Sequence, residues 1–120
     1  MSLVEIHARL ANTIVLFCVI MAIWGALRFL QKKGLSGSFW GAMVISEALI
    51  LLQGALGIYL WITELRPGRG IHPLYGVVIA LAIPFVYVFT KGRDDRPETL
   101  MYTVAFLMMI GLALRAMVTG

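Results

Sequence analysis

The chain has 120 residues, 61% of them hydrophobic and only 13% charged, with ten Lys and Arg against six Asp and Glu for a net charge of +4. Soluble domains carry roughly 25% charged and about 45–50% apolar residues, so this chain cannot cover a water-facing surface; nor does so apolar a chain stay disordered. One cysteine, Cys18, excludes an intrachain disulfide and a zinc-type cysteine cluster. The basic residues fall in short clusters between apolar runs and form no basic face, which points to lipid headgroups and membrane topology and not to nucleic acid.

Residues 10–27, 73–90 and 99–114 carry no charge, and residues 39–63 carry only Glu47. A hydrocarbon core of ~30 Å takes about 20 helical residues to cross. This predicts helices near 3–32, 38–64, 71–90 and 97–118. Four short spans cannot close a β-barrel, and open sheet edges are not tolerated in lipid, so the spans must be helical. The first run is longer than the apolar stretch of a signal peptide, lacks a basic segment before it and ends in Gln31-Lys32-Lys33. It therefore reads as a permanent span.

Local signals set the boundaries. Ser2 and Glu5 have capping-box spacing, so the first helix starts near the beginning of the chain. Residues 34–38 (Gly-Leu-Ser-Gly-Ser) and 66–70 (Arg-Pro-Gly-Arg-Gly) read as turns, and residues 91–96 as a charged loop. Pro73 suits the first turn of the third helix, Pro97 opens the fourth, and Pro84 is expected to kink the third. Short connections make sequential helices antiparallel neighbours. The expected fold is a single all-α domain over residues 1–120, a four-transmembrane-helix bundle running up-down-up-down.

One end of this bundle, side A, carries Arg9, Arg66, Arg69 and Arg115; the other, side B, carries Arg28, Lys32, Lys33, Lys91, Arg93 and Arg96. The positive-inside rule makes side B cytoplasmic and puts both termini outside, or in the periplasm of a prokaryotic-type plasma membrane.

Only two histidines are present, and both fall near side A: His7 in the first turns of helix 1 and His72 at the start of helix 3. In an up-down bundle these helices occupy diagonal corners, so the imidazoles face each other at one depth. That is the arrangement for bis-histidine ligation of a haem. The stripe His7, Ala11, Ile14, Cys18, Met21, Gly25 and its counterpart His72, Gly76, Ile79, Ile83 each advance in steps of three and four and line one helix face. Ala11 and Gly76, one turn beyond each histidine, leave clearance for a flat macrocycle, although small residues also serve close helix packing. Arg9, Arg66, Arg69 and Arg115 are candidates for pairing with haem propionates. Against the histidine pair stands Pro73, which disfavours helical geometry at the residue before it and is expected to turn His72 aside.

Helix 2 carries Gln53 and Gly57 on one face and Glu47 on another. A carboxylate within a span is costly, so Glu47 is expected either to pair with Arg28 or to stay protonated, with a proton or quinone contact as the functional alternative. Asn12 is expected to hydrogen-bond to a neighbouring helix. Trp24, Trp40, Trp61 and Tyr59 are expected to anchor at the membrane interfaces, and the methionines of helix 4 to fill apolar space.

The runs Glu5-Ile6-His7-Ala8-Arg9, Leu52-Gln53-Gly54-Ala55-Leu56-Gly57 and Ile71-His72-Pro73-Leu74-Tyr75-Gly76 resemble one four-helix half of the haem A synthase family. In such a half a Glu/His pair opens one helix, a Gln-x-x-Leu-Gly-like stretch follows, and a second histidine opens a later helix. The resemblance covers residues 5–85. It implies that His7 and His72 bind haem near the outer membrane surface. This chain has one half and not two, and Glu5 precedes His7 by two residues where the family commonly has three. Haem hydroxylation is therefore not carried over.

The leading expectation is a b-type haem protein with one haem b per chain. Two axial imidazoles leave iron no open position, so the expected role is electron transfer, to or from quinol or a membrane-protein partner on side A, in preference to haem A synthesis. A haem-bearing subunit of a respiratory or photosynthetic complex, or a homo-oligomer, fits the same features. The alternatives are a cofactor-free accessory subunit and a proton-coupled transporter using Glu47.

Overall fold

The computed structural model describes residues 2–64 and 71–119, and several of its helix ends carry a recognisable signal. Helix α1 (Leu3–Leu30) is capped by Ser2, whose Oγ accepts from the Glu5 amide at 3.1 Å. Ser36 does the same for α2 (Gly37–Glu64), accepting from the Phe39 amide at 3.1 Å. Helix α3 spans Ile71–Thr90. Helix α4 (Arg96–Thr119) starts beyond Asp95, whose amide donates to Glu98 Oε1 at 3.1 Å. This is the returning half of a capping box.

Both α1 and α3 end in the same way. The Lys33 amide bonds Arg28 O and the Lys32 amide bonds Phe29 O; likewise Gly92 bonds Tyr87 O and Lys91 bonds Val88 O. Lys32 and Lys91 have φ of 59° and 55°. Each end is a Schellman motif, with a lysine in the left-handed position usually given to glycine. The turn at Lys32 stops α1 two residues before the expected boundary at residue 32. The other boundaries agree with expectation to within a residue. Pro84 lies inside α3, which runs on through it.

All four helices are long and apolar enough to cross a membrane. The chain is an all-α, four-helix integral membrane protein. Among the described residues α1 touches α2 and α4, and α3 touches α2 and α4, while the backbones of α1 and α3 stay apart, as do those of α2 and α4. The helices thus stand at the corners of a square in chain order, with α1 diagonal to α3. The bundle is 47 Å long and 26 × 20 Å in section.

The core is unevenly placed. Met21, Cys18, Phe39, Met43, Tyr102, Phe106 and Met109 are wholly buried, and all belong to the middle and side-B portions of their helices. The two side-B loops are bonded to each other. The Leu35 amide donates to Asp94 O at 2.8 Å, Thr99 Oγ1 to Lys33 O at 3.2 Å and Arg96 Nε to Phe29 O at 3.0 Å. Arg96 also stacks 4.0 Å above the Phe29 ring. Glycine is required where the elements meet most closely: a Cβ on Gly34 would collide with the Asp94 carbonyl, and one on Gly25 with Thr103 Oγ1. These small residues bring backbones together, as membrane helix packing uses them.

Candidate functional site

Toward side A the packing changes. Within residues 2–13 of α1, 51–63 of α2, 71–78 of α3 and 110–118 of α4, only Leu60 and Ala113 are buried. The inward stripes explain the difference in terms of side-chain volume. On α4 the stripe runs Tyr102, Phe106, Met109, Ala113, and on α3 Ile83, Ile79, Gly76. On α1 it runs Met21, Cys18, Ile14, Ala11. On α3 and α4 the stripe loses volume as it approaches side A, and on α1 it ends in Ala11; all three end beside a layer holding His7 and His72.

The histidines meet in that layer. Their ring centroids lie 6.3 Å apart with an interplanar angle of 67°, edge-on and not stacked. Both side chains are half-buried. Helix α3 begins at Ile71, so His72 is helical and faces His7. The expectation that Pro73 turns His72 aside is therefore corrected: the proline falls in the first turn, where its missing amide costs no helical bond.

Helix α2 supplies the surroundings of His7. Gln53 Nε2 donates to the His7 carbonyl oxygen at 2.7 Å, tying α2 to α1 at this level. One turn on, a Cβ placed on Gly57 would stand 3.3 Å from His7 Cε1 and 3.9 Å from Nε2, so the ring rests against the bare glycine backbone. Two atoms of this cluster are buried without a hydrogen-bond partner, His7 Nδ1 and Gln53 Oε1. Gln53 was legible in the sequence. Gly57 and Ala113 were not singled out as site residues, although the i, i+4 step from Gln53 and the α4 stripe both pointed to them.

Gly76 shares a helix face with the buried Ile79 and Ile83, yet it is exposed, and nothing lies within 4 Å of where its Cβ would be. Ala11 is half-buried. Gly25 shows what a packing glycine looks like in this bundle, with Thr103 and Phe39 crowding the missing side chain. Gly76 opens space and does not close it.

The arginines stand further out. Arg9 follows His7 by two residues and Arg115 follows Ala113 by two, so each starts from the far side of its helix, and both are exposed. Arg66 and Arg69 lie outside the described residues.

Three further expectations are corrected. Arg28 Nε donates to Gly34 O at 2.7 Å and serves the turn; it does not pair with Glu47, whose Oε1 is buried without a partner. Arg93–Glu98 is the ion pair found among the described residues. Asn12 is exposed on the outside of α1. Trp24 and Trp40 are half-buried and pack inward, Trp24 at 4.9 Å from Phe39 and Trp40 at 5.5 Å from Tyr102, whereas Tyr59 and Trp61 are exposed. Cys18 is free and buried, as expected of a mid-span thiol.

Two open grooves lie elsewhere. One of ≈ 610 Å³ runs along the lipid-facing seam of α3 and α4, lined by apolar side chains including Phe85, Phe89 and Met108. The other, ≈ 310 Å³, lies between the start of α1 and the end of α2, beside Leu3 and Tyr59. Neither holds a histidine. Among the described residues no three His, Cys, Asp or Glu side chains converge as a metal site, so the histidine layer offers two ligands and no more. No protein-family model, curated protein or solved structure matches this chain.

Proposed function

We propose that the side-A layer holds one haem b between His7 and His72, and that the protein transfers electrons through it. The observation that carries this reading is the spacing of the two half-buried rings on diagonal helices. Metal–imidazole bonds of about 2.0–2.1 Å, added to ring radii of about 1.1 Å, put the centroids of two axial imidazoles roughly 6–6.5 Å apart; here they are 6.3 Å apart. Two histidines in direct edge-to-face contact fall within the same broad range, about 4.5–7 Å. The surroundings favour a group between them. A direct pair would need no clearance, whereas no atom lies within 4 Å of where a Cβ on Gly76 would be, Ala11 is half-buried, and Gly57 presents a bare backbone to the His7 ring.

The donor set fits haem better than a small metal ion. Two imidazoles complete the axial positions of a macrocycle that brings its own four equatorial nitrogens, whereas structural zinc takes four protein ligands. Held by His7 and His72, a haem would supply one-electron chemistry and no open position for oxygen or substrate. The residues of the chain bind and orient it: His7 and His72 as ligands, Gln53 and Gly57 as the bed of His7, Ala11 and Gly76 as the faces against which the macrocycle lies. Arg9, Arg66, Arg69 and Arg115 supply positive charge at the side-A end for the propionates.

The six basic side-B residues against four on side A make side B cytoplasmic. The termini and the haem layer then lie at the outer face of a prokaryotic-type plasma membrane. A single haem near that face passes electrons laterally, with quinol or a membrane-protein partner on side A, as a small cytochrome or as the haem subunit of a respiratory or photosynthetic complex.

The ligand assignment is tested by His7→Ala and His72→Ala, each purified from cells supplied with haem. Each variant should lose the six-coordinate low-spin spectrum while keeping its helix content. Retention of that spectrum in both variants would falsify the assignment.

A further inference from the structure

The ≈ 610 Å³ groove along α3 and α4 has a floor, two walls and a closed end. Ala82 and Ala105, both buried and one from each helix, form the floor. Phe85 and Phe89 stack on each other at 6.2 Å and 15° and stand exposed on the α3 side, while Val104 and Met108 stand exposed on the α4 side. Every lining side chain is apolar. The length of the groove decides which apolar group fits it. From residue 78 to residue 89, eleven steps along α3, it measures about 16 Å. That is the depth of one leaflet of a ~30 Å hydrocarbon core. A helix of a second copy would need a seam running through both leaflets, whereas one acyl chain of the side-B leaflet matches.

The side-B end of the groove lies under the loop that joins its two helices. Six basic residues against Asp94, Asp95 and Glu98 leave this end of the bundle with a net charge of +3. Within the loop most of the charge is already committed. Arg93 pairs with Glu98, whose other oxygen accepts from the Asp95 amide, and Arg96 bonds the Phe29 carbonyl and stacks on its ring. Lys91, fixed by its turn directly after α3, is exposed and has no ion pair among the described residues. We propose that the groove binds one anionic phospholipid of the side-B leaflet, an acyl chain lying on Ala82 and Ala105 and the phosphate headgroup held by Lys91. Dispersion contacts along the slot retain the chain, and a basic residue at the membrane surface selects the charge of the headgroup. The site is remote from the histidine layer and needs no haem.

Native mass spectrometry of the full-length protein tests this, in detergent with equimolar phosphatidylglycerol and phosphatidylcholine of the same acyl chains. The wild type should retain one lipid per chain and favour phosphatidylglycerol by about fivefold, the weight of one basic side chain at a membrane surface. Lys91→Asn removes the charge with a residue that tolerates the left-handed conformation. It should bring the two lipids close to equal retention without losing lipid altogether. Val104→Trp fills the groove from the exposed α4 wall and should cut retention of both lipids. Leu81→Trp does the same from α3, should the first variant fail to keep its helix content. Val44→Trp, exposed on α2 in the same leaflet, is the control and should leave retention unchanged. Equal retention of the two lipids by the wild type, or an unchanged ratio in Lys91→Asn, would overturn the headgroup assignment. Undiminished retention in a folded groove-filling variant would overturn the groove as the site. A dimer that only the groove-filling variants dissociate would give the groove to a second copy and overturn the proposal.

Discussion

The two ends of this bundle are built on opposite principles from the same four helices. At side B the inward positions are large, the loops are bonded to each other, and glycines bring backbones into contact. At side A the inward positions are small, Gln53 bonds the His7 carbonyl between two helices, and no atom lies within 4 Å of where a Cβ on Gly76 would be. Lipid gives apolar side chains no reason to leave it for the interior, so membrane helices are held by close packing and polar bonds. This bundle concentrates both toward side B, and the paired rings of His7 and His72 lie in the less closely packed side-A half.

The contrast can be broken first at its strong end. Phe106 is wholly buried in the core, near the middle of α4. Phe106→Ala should cost on the order of 3 kcal/mol or more in denaturant-induced unfolding, because the lost contacts are not replaced. A cost below about 1 kcal/mol would mean that side B is not the anchor of the fold. Gly25→Ala should come next, at about 1–3 kcal/mol, since the new methyl group meets Thr103 where neighbouring helices cannot part easily. Gly76→Ala is the matched control at the open end. It should leave stability unchanged or raise it by up to about 1 kcal/mol through helix propensity. If Gly25→Ala and Gly76→Ala behave alike, the two halves do not differ as described. Gly76→Leu should have the smallest effect on the fold of the haem-free protein and still impair haem loading, because the side chain fills the space the macrocycle needs. Normal loading in Gly76→Leu would place any bound group elsewhere.

The architecture was legible in the sequence because apolar run length, short turns and capping residues are local signals. Ser2, Ser36 and Asp95 cap helices by contacts within four residues, and a span needs only length and composition to be recognised. The inward stripe of α1 was legible too: Ile14, Cys18, Met21 and Gly25 are all buried. What escaped were contacts whose partners come from other segments. Arg28 had two plausible acceptors by depth, and the turn carbonyl of Gly34 lay closer than any carboxylate. Trp24 and Trp40 have the right depth for an interface belt, and only the direction of the bundle axis shows that they point inward. Gly57 reads as a packing glycine until the position of the His7 ring is known. The histidine pair was therefore visible from depth alone, but the residues packed around it were not.

The most direct measurement is the absorbance spectrum of the purified wild-type protein, produced with haem supplied and recorded oxidised and then dithionite-reduced. The account predicts one low-spin, six-coordinate haem b per chain, with a sharp Soret band and a sharp reduced α band. A colourless protein that keeps its four-helix fold would contradict it.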